Sequence, residues 1–125
     1  MAGCSKVKIT PPVGTPLDGN VRDRGCEGVH DDIYAKSLVL SDGEKEIAIV
    51  SCALCVIPGD MVKKIRKIVK EKCALPEENI LICTFHTHSG PSTGLIFKEV
   101  NEDYLFSLQK KLPYRFVRQN KILEK

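Results

Sequence analysis

An amphipathic helical pattern, followed shortly by a compact apolar run, dominates the middle of the sequence. In residues 60–72 the apolar side chains recur at spacings of three and four, as in a helix that buries one face: Met61, Val62, Ile65, Ile68 and Val69. Residues 79–85 are almost continuously apolar, which favours a strand buried on both faces. A strand–helix–strand crossover is therefore predicted. Residues 86–91 then lie at the carboxyl end of its second strand, where ligands bind in open α/β sheets.

A β-hairpin is predicted before this helix. Residues 34–40 and 46–52 are rich in β-branched and apolar side chains, and the turn between them contains Gly43. Residues 6–10 alternate between polar and apolar side chains, which predicts one more strand. The three prolines and four glycines of residues 11–29 indicate a long loop, and long loops in compact domains are usually functional or disordered.

A final helix is predicted for residues 101–112, with Pro113 ending it. The fold class is therefore α/β: a mixed sheet with a hairpin and covering helices. We expect an incomplete domain, because the predicted helices cover only part of the sheet. Residues 1–112 form this domain, and residues 113–125 form a basic C-terminal tail.

The charge distribution and apolar content exclude several classes of partner. Residues 1–109 carry 13 Lys/Arg and 15 Asp/Glu, a net charge of −2, whereas residues 110–125 carry six against one, a net charge of +5. We interpret the basic end as a solvated terminus and expect no nucleic-acid partner, since no basic patch is interleaved with aromatic residues. Neither a transmembrane segment nor a signal peptide is evident, so a cytoplasmic location is expected.

Six cysteines are spread along the chain, and two of them form a C-x-x-C pattern. Without a signal peptide, a disulfide framework is not expected. Cys52 and Cys55 follow a strand-like apolar run instead of opening a helix, where a reactive thiol is favoured. Packing in the core is the preferred interpretation, with a metal or redox role as the alternative.

Two histidines, His86 and His88, follow the apolar run at residues 79–85. Alternate residues of an extended segment point to the same side. The two imidazoles could therefore share one Zn²⁺ ion, or one could bind metal while the other contacts a substrate. Two strand histidines satisfied by hydrogen bonds are the structural alternative.

Four ordered blocks between residues 6 and 91 resemble neutral/alkaline non-lysosomal ceramidases. The first is the segment KITPPVGTPL at residues 8–17, and the second is GVHDDIYAK at residues 28–36. The hairpin and the segment ending in HTHSGP at residues 86–91 are similar to the third and fourth blocks. The resemblance implies a zinc-dependent amidase that cleaves the N-acyl bond of ceramide, so a lipid or other N-acyl amide is the expected substrate.

The resemblance also implies roles for all three histidines. His86 matches a zinc ligand, His88 matches a catalytic residue that lines the substrate pocket, and His30 matches a second residue near that pocket. Ala53 departs from the family, which usually has an acidic residue there in an S-x-D-L pattern. The family's other ligands, a His, a Glu and a Tyr, lie far beyond this length of chain. We therefore expect an incomplete zinc site and a chain that is inactive alone, completed in one scenario by a second polypeptide.

A non-catalytic role and other metallohydrolase classes are the alternatives to a ceramidase-like amidase. The chain could be a non-catalytic remnant or an interaction module, which its short length and Ala53 favour. Among other H-x-H metallohydrolases, the JAMM proteases require a Ser and an Asp where this chain has Ile96 and Glu99. Metallo-β-lactamase-like enzymes require H-x-H-x-D-H, and Gly90-Pro91 cannot supply the last two residues.

Overall fold

The computed structural model describes the backbone of residues 1–123 and the side chains of residues 1–113. Within this range it has four strands, two α-helices and one 3-10 turn at Glu77–Asn79. In chain order the main elements are β1 (Ala2–Lys8), β2 (Tyr34–Ser41), β3 (Glu46–Cys52), α1 (Gly59–Cys73), β4 (Ile80–Thr84) and α2 (Glu102–Leu123).

The four strands form one mixed sheet in the order β1-β2-β3-β4. The first three pair antiparallel, while β3 and β4 are parallel and are joined through α1. The predicted crossover and the predicted hairpin are both confirmed. In the hairpin turn, the Asp42 carboxyl accepts hydrogen bonds from two following backbone N–H groups, and Gly43 takes the positive φ of 99° that the turn requires.

Both helices share one hydrophobic core with a single face of the sheet. Alternate residues of a strand point to the same side, so one face of the sheet presents Ala35, Val39, Ala48, Val50, Ile80 and Ile82 to the core. From α1 the core receives Met61, Ile65 and Val69, which are the positions that the helical periodicity predicted. From α2 it receives Tyr104, Leu108 and Leu112. The fold is the predicted α/β arrangement.

The opposite face of the sheet is open in the described part of the chain. Leu38, Leu40, Ile47 and Leu81 lie on that face and are between 37% and 53% exposed. Several large apolar side chains on neighbouring strands therefore remain in contact with solvent, which is unusual for a finished domain. The arrangement agrees with the prediction of an incomplete domain.

The prediction that the last helix ends at Pro113 is wrong. Helix α2 continues through this residue to Leu123. A proline inside a helix removes one backbone hydrogen bond and costs about 3 kcal/mol. The Pro113 ring is fully buried, and we attribute the tolerance to this burial, which compensates part of that cost. The side chains of the predicted basic tail beyond Pro113 lie outside the described residues.

Candidate metal centre

The candidate site lies at the carboxyl ends of the parallel strands β3 and β4. Because β3 and β4 run side by side in the same direction, the segments that leave them are neighbours. Thr87 donates a backbone hydrogen bond to the carbonyl oxygen of Leu54 at 3.3 Å, and the Thr84 hydroxyl donates to that of Cys55 at 3.2 Å. These bonds fix the segment after β4 against the segment after β3.

The two histidine rings lie on the same side of this segment. Their centroids are 4.9 Å apart, and the rings meet edge to face at an angle of 74°. The predicted convergence is present, but strand alternation does not produce it, because β4 ends at Thr84. Instead His86 adopts a left-handed backbone conformation with φ of 58°, which turns the chain there. Such a conformation is uncommon for a residue other than glycine and is often found at functional sites.

Cys55 joins the two histidines. One ligand atom from each of Cys55, His86 and His88 lies within 4.8 Å of the others, a grouping that could hold a metal ion. Cys55 is buried, whereas both histidines are exposed. Burial raises the pKa of the Cys55 thiol, and the negative charge of Asp18 raises it further.

The His86 ring is oriented by the backbone of Cys55. Its Nδ1 lies 3.0 Å from the Cys55 carbonyl oxygen and 3.4 Å from the Cys55 sulfur. A carbonyl oxygen can only accept a hydrogen bond, so this contact requires a proton on Nδ1. The lone pair of the other ring nitrogen, Nε2, is then free. Metal-binding histidines are commonly held in this way by a carbonyl oxygen behind the ring.

The long loop of residues 11–29 packs against the histidine segment. Asp18 donates its backbone N–H to the carbonyl oxygen of Gly90 at 3.0 Å, and Arg22 donates to that of His88 at 2.8 Å. Gly19 is so close to His88 that an added Cβ would lie 2.5 Å from its Cα. The loop thereby sets the position of His88.

Asp18 is a residue of this loop that the sequence did not single out. Its carboxyl group is fully buried, with one oxygen accepting a hydrogen bond from the backbone N–H of Thr93 at 3.2 Å. The other oxygen, Oδ1, has no hydrogen-bond partner among the described residues. A buried carboxyl oxygen without a partner is costly, so Asp18 is a candidate functional residue. No motif in the loop distinguishes Asp18 from its other acidic residues.

The structure does not bring His30 into the group. Its side chain is 97% exposed, and its Nδ1 lies 2.6 Å from the carboxylate of Asp31. His30 does line a cavity of about 780 Å³ next to the histidine pair, which Thr87 and Ser89 also line. Its assignment to a substrate pocket stays a prediction.

The remaining cysteines are core or surface residues. All six cysteines are free thiols in the structure. Cys52 is fully buried, and burial raises the pKa of its thiol to about 12. The two cysteines of the C-x-x-C pattern thus have different environments: Cys52 packs in the core, and Cys55 faces the histidines. The parallel pairing of β3 with β4 is the signal that would have placed Cys55 beside His86.

Comparison with known proteins supports a relationship in fold. No protein-family model matches the chain. A neutral ceramidase from Pseudomonas aeruginosa superposes with a TM-score of 0.77 over 96% of this chain, at 20% sequence identity. A ceramidase solved in complex with C2 superposes with a TM-score of 0.71 over 94% of this chain, also at 20% identity. The chain therefore has a ceramidase-like fold.

The chain spans about one fifth of the length of the two solved structures. No helix in the described range combines the length and apolar character needed to cross a membrane.

Proposed function

We propose that this chain supplies part of the active centre of a zinc-dependent amidohydrolase of the neutral ceramidase type. His86 is the zinc ligand, and His88 faces the substrate. The observation that carries the proposal is the convergence of these two rings at a parallel strand end, within a fold similar to that of neutral ceramidase. The substrate class is an N-acyl amide of a lipid base, as in ceramide.

The side chains at the site fit zinc. Sulfur and imidazole nitrogen are the donors that zinc prefers, and His86 offers a free Nε2 lone pair in an orientation fixed from behind. A tetrahedral zinc ion with bonds near 2.0–2.3 Å spaces its ligand atoms roughly 3.4–3.6 Å apart. The ligand atoms present lie within 4.8 Å of one another, so their separations must shorten by at most about 1.4 Å to close the site. Rotation of the two exposed histidine rings can supply that movement.

The chemistry supplied at such a site is the activation of a water molecule and the polarisation of the amide carbonyl. His88 lies next to His86 and can donate a hydrogen bond to the carbonyl oxygen as negative charge develops on it. Arg22 and Gly19 hold the backbone of His88 from the loop side, which limits the movement of that donor. The adjacent cavity lined by Thr87, Ser89 and His30 is large enough for part of an acyl amide.

Further protein surface must complete the centre. A catalytic zinc ion takes three protein ligands and a water molecule, and a water-excluded site needs walls on all sides. We propose that the open sheet face, formed by Leu38, Leu40, Ile47 and Leu81, packs against the remainder of a ceramidase-like domain on the same or a second polypeptide. The chain alone then lacks both ligands and cover, and it is inactive.

A chimera tests this function. The matching part of the Pseudomonas aeruginosa neutral ceramidase is replaced by this chain, and fatty-acid release from ceramide is measured with and without zinc. We expect zinc-dependent release that His86→Ala abolishes and His88→Ala strongly reduces. Lys63→Ala, on the exposed face of α1, is the matched control and should leave release unchanged. A folded chimera that binds zinc and releases no fatty acid would contradict the proposal and favour a non-catalytic remnant.

A further inference from the structure

We propose that Cys55 is a metal ligand beside His86, whose thiolate helps to bind a thiophilic divalent cation such as zinc. This inference rests on the proposed metal centre at His86. It adds a ligand that the resemblance to ceramidases does not supply.

The geometry of Cys55 carries the inference. Two atoms of Cys55 face His86: its carbonyl oxygen and its sulfur lie 3.0 Å and 3.4 Å from the ring nitrogen Nδ1. One ligand atom from each of Cys55, His86 and His88 lies within 4.8 Å of the others. Cys55 is 1% exposed, so the surrounding core limits movement of its sulfur, while the exposed His86 ring can move toward it. The metal would therefore be bound between a buried thiolate and the adjustable imidazole of His86, next to His88.

Asp18 provides an independent indication. Its Oδ1 atom is buried without a hydrogen-bond partner among the described residues, and its charge is close enough to act on the Cys55 thiol. The next residue, Gly19, packs directly against His88. The loop thus places a buried carboxyl group near Cys55, where it can orient a ligand or a metal-bound water molecule.

Metal binding by Cys55 needs no further reactant. On binding, the thiol loses its proton to the buffer and the sulfur donates an electron pair to the metal.

Cobalt(II) is a suitable probe, because a sulfur ligand gives a charge-transfer absorption band in the near ultraviolet that nitrogen ligands do not give. The full chain, reduced with a phosphine, is titrated with Co²⁺ and then with Zn²⁺ in competition. We expect one equivalent to bind with a sulfur band that Cys55→Ser and Cys55→Ala both remove. We also expect zinc affinity to fall by about tenfold to a hundredfold in these variants.

Cys83→Ser is the matched control. Cys83 is half-buried in β4 and donates to the carbonyl oxygen of Val50 at 3.3 Å, a bond that serine can keep. This variant should retain both the sulfur band and the affinity. Asp18→Asn should retain the band and bind zinc about tenfold more weakly. An unchanged affinity in Asp18→Asn would refute the part assigned to that carboxyl group.

The inference and the proposed function fail in different ways. A sulfur band that persists in Cys55→Ser, in a variant shown to be folded by circular dichroism, would overturn the role of Cys55. Binding that requires His86 but gives no sulfur band in the wild-type chain would overturn it as well, while leaving the proposed function standing. Absence of any Co²⁺ binding by the folded chain would overturn the inference, whereas the chimera tests the function separately.

Discussion

Gly19→Ala tests how tightly the loop positions His88. Gly19 has a positive φ of 101°, and a Cβ there would lie 2.5 Å from the His88 Cα and 2.6 Å from its Cβ and Cγ. Ordinary van der Waals contact begins at 3.4 Å, so His88 or the loop must move by about 0.9 Å, a shift large enough to matter at a site. The movement falls on the backbone of a proposed metal-site residue.

Two costs add in this variant. A positive φ costs an alanine about 1–2 kcal/mol. The forced shift in a packed region adds about 1–3 kcal/mol. Gly43→Ala measures the cost of the positive φ alone, because Gly43 has nearly the same φ, 99°, and nothing lies within 4 Å of its added Cβ. For a chain of this size each kcal/mol of lost stability lowers the melting temperature by about 3–5 °C.

The assay combines thermal unfolding with zinc titration. Gly43→Ala should lower the melting temperature by about 3–10 °C and leave zinc affinity unchanged. Gly19→Ala should lower it by a further 3–15 °C, roughly, and weaken zinc binding by about tenfold or more. Equal melting temperatures and equal zinc affinities for the two variants would refute the claim that the loop holds His88 in place.

Three further predictions concern the core thiol, a buried tyrosine and the activity of the chain. At pH 8 the thiolate fraction of Cys52, with its pKa near 12, is about one in ten thousand, so iodoacetamide should modify exposed Cys4 first and Cys52 only after unfolding. Peptide mass spectrometry checks this order, and early modification of Cys52 would contradict its burial. Tyr104→Phe removes the hydroxyl that donates to the Ile9 carbonyl oxygen at 2.6 Å, and should cost about 1–3 kcal/mol in urea unfolding. Tyr34→Phe, at a half-buried ring, should cost no more than about 0.5 kcal/mol, and equal costs would show that the buried bond contributes little. The isolated chain should release no fatty acid from ceramide with added zinc, and zinc-dependent release would show that it is an enzyme alone.

The crossover and hairpin could be predicted because their patterns are local. The helical spacing of Met61, Ile65 and Val69 specifies which face is buried, and these residues are the buried ones of α1. The end of helix α2 could not be predicted from the residues around Pro113. Local propensity ends the helix there, and the burial of the proline ring becomes evident only when the tertiary packing is known.

In the candidate site, too, local features could be predicted from the sequence and long-range contacts could not. The pairing of His86 with His88 followed from their spacing, although a left-handed turn at His86 brings the rings together, not an extended strand. Cys55 and Asp18 reach the site from segments 31 and 68 positions before His86, counted from the residue numbers. Their proximity depends on the parallel register of β3 with β4 and on the path of the long loop, neither of which a local pattern encodes.

Zinc binding by the 125-residue chain tests the central claim, that the two converging histidines form part of a metal centre. Isothermal titration calorimetry compares the wild type with His86→Ala, His88→Ala and His30→Ala. We expect one zinc ion per chain, weaker than the roughly 10–16 kcal/mol of a closed structural site. Binding should be lost in His86→Ala and reduced in His88→Ala. His30→Ala, at an exposed ring paired with Asp31, should bind as the wild type does. Equal binding by the wild type and His86→Ala would contradict the account.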